Sequence, residues 1–288
     1  MINYGMPYKG SKSRIVAWLV DVLPDAETFV DLFGGGGAVT HYAATSHKYN
    51  HVIYNDINPV VYAGFDMAIH NKFEHETRWI GREEFFKLKD IDPYVAICFS
   101  FGNDLKTYCY SQDIEAHQRA LHELIFYQQT KDIWKYAEDK NSLELITHIQ
   151  SRRNRRLVCN GTSGLGRLVS LERLERLQEL WGLCFKNITT YNLDFADVPI
   201  PPNSVVYCDI PYKGTNTYTN IFDYERFYRW ALDCPYYVFI SEYDMPEQFY
   251  EVDLISHKST LAAICQKATK EKLFCNKPYD ANKQLSLF

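Results

Sequence analysis

Hydrophobic and polar positions along the chain fall into two kinds of segment. Short, nearly continuous apolar runs occur at Thr28–Phe33, His51–Asp56, Val205–Asp209 and Tyr237–Glu242, the pattern of strands buried on both faces. Between them, apolar residues recur at helical spacing over Ile15–Leu23, Ala38–Ser46, Pro59–His70 and Asp223–Asp233. Strand, helix, strand in this order predicts βαβ units and an α/β fold. Lys186–Phe195 reads as a further strand end, and Tyr250–Lys258 with Glu271–Asn276 as a terminal antiparallel pair covering the sheet edge. Ser11 or Ser13 stands where it can cap the first helix.

From about Lys72 to Leu180 the pattern changes to mixed helices rich in aromatics, with Trp79, Phe85, Phe99 and Tyr108 expected mostly in packing. Helical periodicity runs over Ile114–Tyr127 and Leu143–Gln150, and another helix starts near Ser170. This contrast predicts a core whose first part is 1–72, an insert at 73–180, a second core part at 181–276 and an exposed tail at 277–288.

At 288 residues, 46% of them hydrophobic, the chain is long enough for a sizeable core. Its net charge of −5 excludes a uniformly basic surface, so any nucleic-acid contact must come from a local patch. Such a patch exists: Arg152, Arg153, Arg155, Arg156 and Arg167 crowd a glycine-bearing segment that also holds Asn160, suited to gripping phosphates and reaching into a groove. The eight cysteines are scattered singly, which argues against a zinc site or a disulfide scaffold, so no metal is expected. No apolar leader or membrane-length run stands out, and a reducing cytoplasm is the expected setting, with no membrane partner.

Candidate chemistry sits at strand ends. Four glycines, Gly34 to Gly37, separate a strand ending in Asp31-Leu-Phe33 from a helix, which permits close backbone approach to a ligand. The dinucleotide pattern Gly-x-Gly-x-x-Gly is not met, so a nucleoside-bearing ligand without pyrophosphate fits better. Asp56 ends the next strand, where a carboxylate accepts hydrogen bonds from ribose hydroxyls. Asp194 and Phe195 suit hydrogen bonding to, and flanking of, an adenine ring. Asp209-Ile210-Pro211-Tyr212 puts an acid and an aromatic on one stiff turn, where the carboxylate can hold an exocyclic amine while the ring stacks on its base.

Tyr8-Lys-Gly-Ser-Lys12, Asp31-Leu-Phe-Gly-Gly-Gly-Gly, Asn55-Asp56, a variable insert, Asp194-Phe195 and Asp209-Ile-Pro-Tyr212 together resemble the alpha group of DNA adenine methyltransferases, the Dam-type methylases. The resemblance implies a Rossmann-like mixed-sheet methyltransferase core with an inserted, mostly helical DNA-recognition domain. It implies S-adenosylmethionine as methyl donor and the 6-amino group of a flipped-out adenine in double-stranded DNA as acceptor. Tyr8, Lys12, Asp31, Phe33, Gly34, Gly36, Asp56, Asp194, Phe195 and Asp209 match its donor-binding positions, and Asp209, Ile210, Pro211 and Tyr212 its catalytic motif. The family usually has two prolines in that motif. Here the first is Ile210, which keeps the backbone carbonyl that the role requires.

Gln284-Leu285-Ser-Leu287-Phe288 resembles the short peptide by which bacterial proteins bind the DNA polymerase sliding clamp. Two other readings stay open at this level. The same turn serves the 4-amino group of cytosine, and a catalytically weakened DNA-binding protein tethered to the clamp would carry the same tail and arginines.

Overall fold

The computed structural model describes residues 3–129, 131–136, 168–181, 187–213, 222–258 and 268–280. The chain divides into two compact units: Met1–Gly5, Ser11–Tyr62 and Phe185–Phe288 in one, Met6–Gly10 and Ala63–Cys184 in the other.

The first unit is built on a seven-stranded sheet of β1 (Thr28–Asp31), β2 (His51–Asn55), β3 (Ile188–Tyr191), β4 (Ser204–Cys208), β5 (Tyr237–Glu242), β6 (Tyr250–Lys258) and β7 (Ala268–Cys275), in the order β3-β2-β1-β4-β5-β7-β6. β3 to β5 in that order run parallel, and β7 pairs antiparallel with both β5 and β6. β1 lies beside β2 on one side and β4 on the other, with Asp31 level with Tyr54 and Tyr207. Strand order reverses there, which makes the carboxyl ends of β1 and β4 the crevice where open α/β sheets bind ligands.

Alternate residues of each strand point to opposite faces, and both faces are covered. On one, Phe29, Val52, Val205, Tyr207, Phe239 and Leu273 pack with Leu19 and Val20 of α1 (Val16–Val22) and Val39 and Ala43 of α2 (Ala38–Thr45). On the other, Val30, Ile53, Val206, Val238 and Ile240 pack with Phe195 and with Phe227 and Ala231 of a later helix, Tyr224–Asp233. Burial on both faces is why these strands read as unbroken apolar runs. The expected caps of α1 are absent: its N-cap is Ile15, with no side-chain hydrogen bond. Ser13 Oγ instead accepts the Tyr4 N–H at 2.9 Å, and Ser11 Oγ the Ser13 N–H at 3.4 Å.

α3 (Pro59–Ile69) leads into the second unit, which holds α4 (Arg82–Leu88), α5 (Pro93–Cys98), α6 (Gln112–Tyr127) and α7 (Val169–Trp181). Tyr224–Asp233 of the first unit is thus α8. α5 opens with Pro93 in its first turn and Asp92 as N-cap, accepting from Tyr94 N at 3.0 Å. The aromatics largely pack as expected, Trp79 against Phe99, Tyr110 and His122, while Phe86 and Phe101 stay exposed. The helix expected at 143–150 lies outside the described residues. Among the described residues no helix is long and apolar enough to cross a membrane, and no group of three or more His, Cys, Asp or Glu side chains is placed to hold a metal ion.

Candidate active site

The glycine turn follows β1 and leads into α2. Gly37, with φ 69°, forms the helix N-cap in the left-handed region that favours glycine. Gly34 lies so close to the Tyr54 ring that a Cβ there would come within 2.2 Å of it. Tyr54 also donates its hydroxyl to the Gly35 carbonyl at 2.8 Å, fixing the turn from beneath.

Two carboxylates flank this turn. Asp31 is buried, its Oδ2 accepting from Thr40 Oγ1 at 2.8 Å, while its Oδ1 has no hydrogen-bond partner among the described residues. Burial, together with repulsion from Asp209 and Asp56, pushes its pKa up to about 7 against the pull of Thr40. Asp56 accepts the Gly35 N–H at 2.9 Å and the Asn58 N–H at 2.8 Å, yet burial still raises it to about 6. Among the described residues neither acid has an ion-pair partner.

Asn55, whose role the sequence pattern does not reveal, ties three segments together. Its Nδ2 donates to the Leu32 and Leu193 carbonyls at 3.0 and 3.1 Å, and its Oδ1 accepts the Leu193 N–H at 3.0 Å. This brings Asp194 and Phe195 to the same edge, where Phe195 stacks on Phe33 with ring centroids 5.8 Å apart. Arg226 of α8 grips Asp194 with two bonds of 2.7 and 2.9 Å, which holds that carboxyl below its usual range, and lies 4.8 Å over the Phe195 ring.

After β4 the chain turns through Asp209, Ile210, Pro211 and Tyr212. Ile210 is 2% exposed and its side chain joins the core with Val206 and Val238, which accounts for an apolar residue in place of proline. The turn is braced by Tyr224, whose hydroxyl donates to the Pro211 carbonyl at 2.8 Å. Lys12 Nζ lies 2.8 Å from Asp209 Oδ1 and 3.2 Å from Glu271 Oε1, and donates to the Tyr212 hydroxyl at 2.9 Å. That hydroxyl in turn donates to Glu271, and the Tyr212 ring meets Tyr243 edge-on at 4.7 Å. Burial raises the Asp209 pKa although Lys12 pulls it down. Burial opposes the Lys12 charge too, but Asp209 and Glu271 outweigh it and hold Lys12 above the usual lysine range. Beside this cluster a cavity of about 460 Å³ is lined by Lys213, Tyr228, Glu242, Tyr243, Asp244, Met245 and Pro246. Glu242 closes its strand end by accepting the Lys213 and Tyr243 N–H groups at 3.2 and 2.7 Å.

The first unit therefore gathers Lys12, Asp31, Phe33, Gly34, Gly36, Asp56, Asp194, Phe195 and the whole Asp209–Tyr212 turn, whereas Tyr8 falls in Met6–Gly10, within the second unit. Arg152, Arg153, Arg155, Arg156, Asn160, Arg167, Gln284, Leu285, Leu287 and Phe288 lie outside the described residues. Sequence reasoning missed Asn55, Thr40 and Glu271. Asn55 stood in a motif but carried no visible chemistry, and Glu271 stands between Lys270 and Lys272, where it reads as part of a solvated charged strand.

Residues 8–233 match the family model described as D12 class N6 adenine-specific DNA methyltransferase, a span that includes every one of these residues up to the Asp209 turn and ends with α8. No curated protein matches the chain.

Proposed function

Because the chain belongs to the D12 class of N6 adenine-specific DNA methyltransferases, we propose that an adenine swung out of the DNA duplex is methylated above the carboxyl ends of β1 and β4, with S-adenosylmethionine as donor. The observation that carries this reading is the pair Asp31 and Asp209. Asp31 ends β1 and Asp209 directly follows the adjacent parallel β4, near enough that Asp209 helps raise the Asp31 pKa.

The residues at the glycine turn fit a donor that is both cationic and a nucleoside. Asp31 offers a buried oxygen with no partner among the described residues, which suits a positively charged group. Asp56 suits ribose hydroxyls, and Phe33 with Phe195 an aromatic ring. Bound S-adenosylmethionine supplies an electrophilic methyl group on a sulfonium.

The chain's own work is done by the Asp209 turn. An adenine leaves the stack at a cost of a few kcal/mol, partly offset by stacking on Tyr212. Its amine lone pair is delocalised into the ring and is a poor nucleophile. Asp209 and the Ile210 carbonyl accept hydrogen bonds from the two N–H groups and favour the tetrahedral form, whose lone pair can attack. As the S–CH3 bond would break and leave a neutral thioether, the Asp209 carboxylate stabilises the positive charge that develops on the nitrogen and is placed to accept the proton the nitrogen then gives up.

The test is to incubate the protein with duplex DNA and labelled donor and to identify the modified nucleoside after digestion. N6-methyladenine is expected, and N4-methylcytosine would overturn the acceptor assignment. Asp209→Ala should lose methyl transfer by roughly 10²-fold or more while still binding DNA; a variant with the parent rate would remove Asp209 from the mechanism.

For DNA contact we assign the arginines between Arg152 and Arg167, with Asn160, on their sequence pattern. We assign sliding-clamp binding to Gln284–Phe288 on the same basis. Deleting 284–288 should abolish clamp binding and leave methylation of short oligonucleotides intact, and clamp binding by the truncated chain would refute it.

A further inference from the structure

Glu271 lies on β7, beyond the segment that matches the family model. Its side chain is 6% exposed, and it contacts two groups that also meet Asp209 or its turn: the Lys12 ammonium at 3.2 Å and the Tyr212 hydroxyl. Lys12 is thus shared by two carboxylates, with Asp209 the nearer at 2.8 Å. A buried ammonium held by Asp209 alone would be stranded whenever that carboxylate turned to another partner, and an unpaired buried charge is strongly unfavourable. A second carboxylate removes that obstacle.

We propose that Glu271 is a positioning residue for methyl transfer: it anchors the Lys12 ammonium and the Tyr212 hydroxyl so that Asp209 can engage the adenine amine without leaving a lysine cation unpaired. The proposal rests on the reading of Asp209 given above. Glu271 touches neither adenine nor donor and acts through Lys12 and Tyr212.

The charge arrangement gives this role a signature that a merely structural side chain lacks. Asp209 faces Lys12 from the stretch before α1, Asp31 from β1, Tyr207 and Cys208 on β4, Tyr212 on its own turn, Glu242 and Tyr243 at the end of β5, and Glu271 from β7. Of these, Glu271 is the strongest influence raising the Asp209 pKa after burial itself, and Lys12 the strongest lowering it. Removing the Glu271 charge leaves Lys12 wholly to Asp209, so the Asp209 pKa must fall.

The experiment compares Glu271→Gln with the parent enzyme in single-turnover methylation of an oligonucleotide duplex across pH, with donor and DNA affinities measured alongside. We expect little change in donor affinity, a maximal rate lower by about tenfold to a hundredfold because misplacement by ~1 Å costs that much, and an acid limb displaced to lower pH. A parent-like rate overturns the proposal, as does a reduced rate with the acid limb unmoved. Should Glu271→Gln not fold, Glu271→Asp decides, since it keeps the charge on a shorter stem. Its acid limb should stay near that of the parent while its rate falls, and an undiminished rate again overturns the proposal. Asp209→Ala in the same assay separates the two readings. If it methylates normally, the Asp209 assignment itself fails, whereas an inactive Asp209→Ala beside a fully active Glu271→Gln removes Glu271 alone.

Discussion

The two ends of the site solve the same electrostatic problem differently. At the glycine turn, buried Asp31 and half-buried Asp56 have no ion-pair partner among the described residues, and their pKa values rise to about 7 and about 6. At the Asp209 turn, half-buried Asp209 and buried Glu271 also crowd together, but the chain supplies Lys12 between them. The proposed ligands explain the contrast. The proposed donor carries positive charge of its own, so Asp31 as its counterpart needs no internal cation, while Asp56, proposed for neutral ribose hydroxyls, is held by the Gly35 and Asn58 N–H groups. Adenine is neutral, so a carboxylate proposed to receive it must be kept charged by the protein itself.

The sharpest way to break this comparison is to remove the internal cation. Lys12→Met leaves the half-buried Asp209 and buried Glu271 carboxylates facing each other, and breaking a fully buried ion pair from one side costs about 3–5 kcal/mol, the upper end for this cluster. Chemical denaturation at pH 8 should show a loss of up to that order, shrinking as pH falls and Asp209, whose pKa is raised, protonates, and methyl transfer should be lost. A variant as stable as the parent at pH 8 would mean that the cluster is not the charged unit described.

The converse change concerns Asp31. A buried acid raised to about 7 binds its proton more tightly folded than unfolded, so the donor-free protein loses stability as pH rises from about 4 through 7, by up to roughly 4 kcal/mol. Asp31→Asn should therefore be more stable than the parent above pH 7 yet bind donor less well, which calorimetry can measure in both respects. In the parent, donor affinity should weaken as pH drops below 7 and Asp31 loses its charge; affinity that is flat from pH 6 to 8 would separate Asp31 from the donor's cation.

The smallest effect belongs to Arg226, which grips Asp194 at the exposed rim. Exposed ion pairs contribute little to folding. Arg226→Ala should leave the denaturation midpoint almost unchanged while altering donor affinity modestly, and a large drop in stability would show that the pair does more than orient Asp194.

Much of this is legible along the chain alone. β1, β2, β4 and β5 are readable because burial on both faces leaves an unbroken apolar run, and Asp31, Asp56 and Asp209 because each closes such a run. The antiparallel edge formed by β6 and β7 is legible too, from strand-like composition beyond the last parallel strand. The caps of α1 are not, since Ser11 and Ser13 can serve a helix or a nearby loop equally well and only the position of Tyr4 selects the loop.

The chain's local chemistry by itself determined the α/β class, the order of strands and helices, the glycine turn and the acid-bearing turn, because short-range pattern and strand-end position are properties of neighbouring residues. Only the tertiary structure decided that β7 inserts beside β5 and carries Glu271 to Lys12, residues that lie at opposite ends of the chain. No local preference encodes which carboxylate a buried ammonium will meet, because sheet pairing sets that distance and the need to neutralise a desolvated charge makes the meeting consequential.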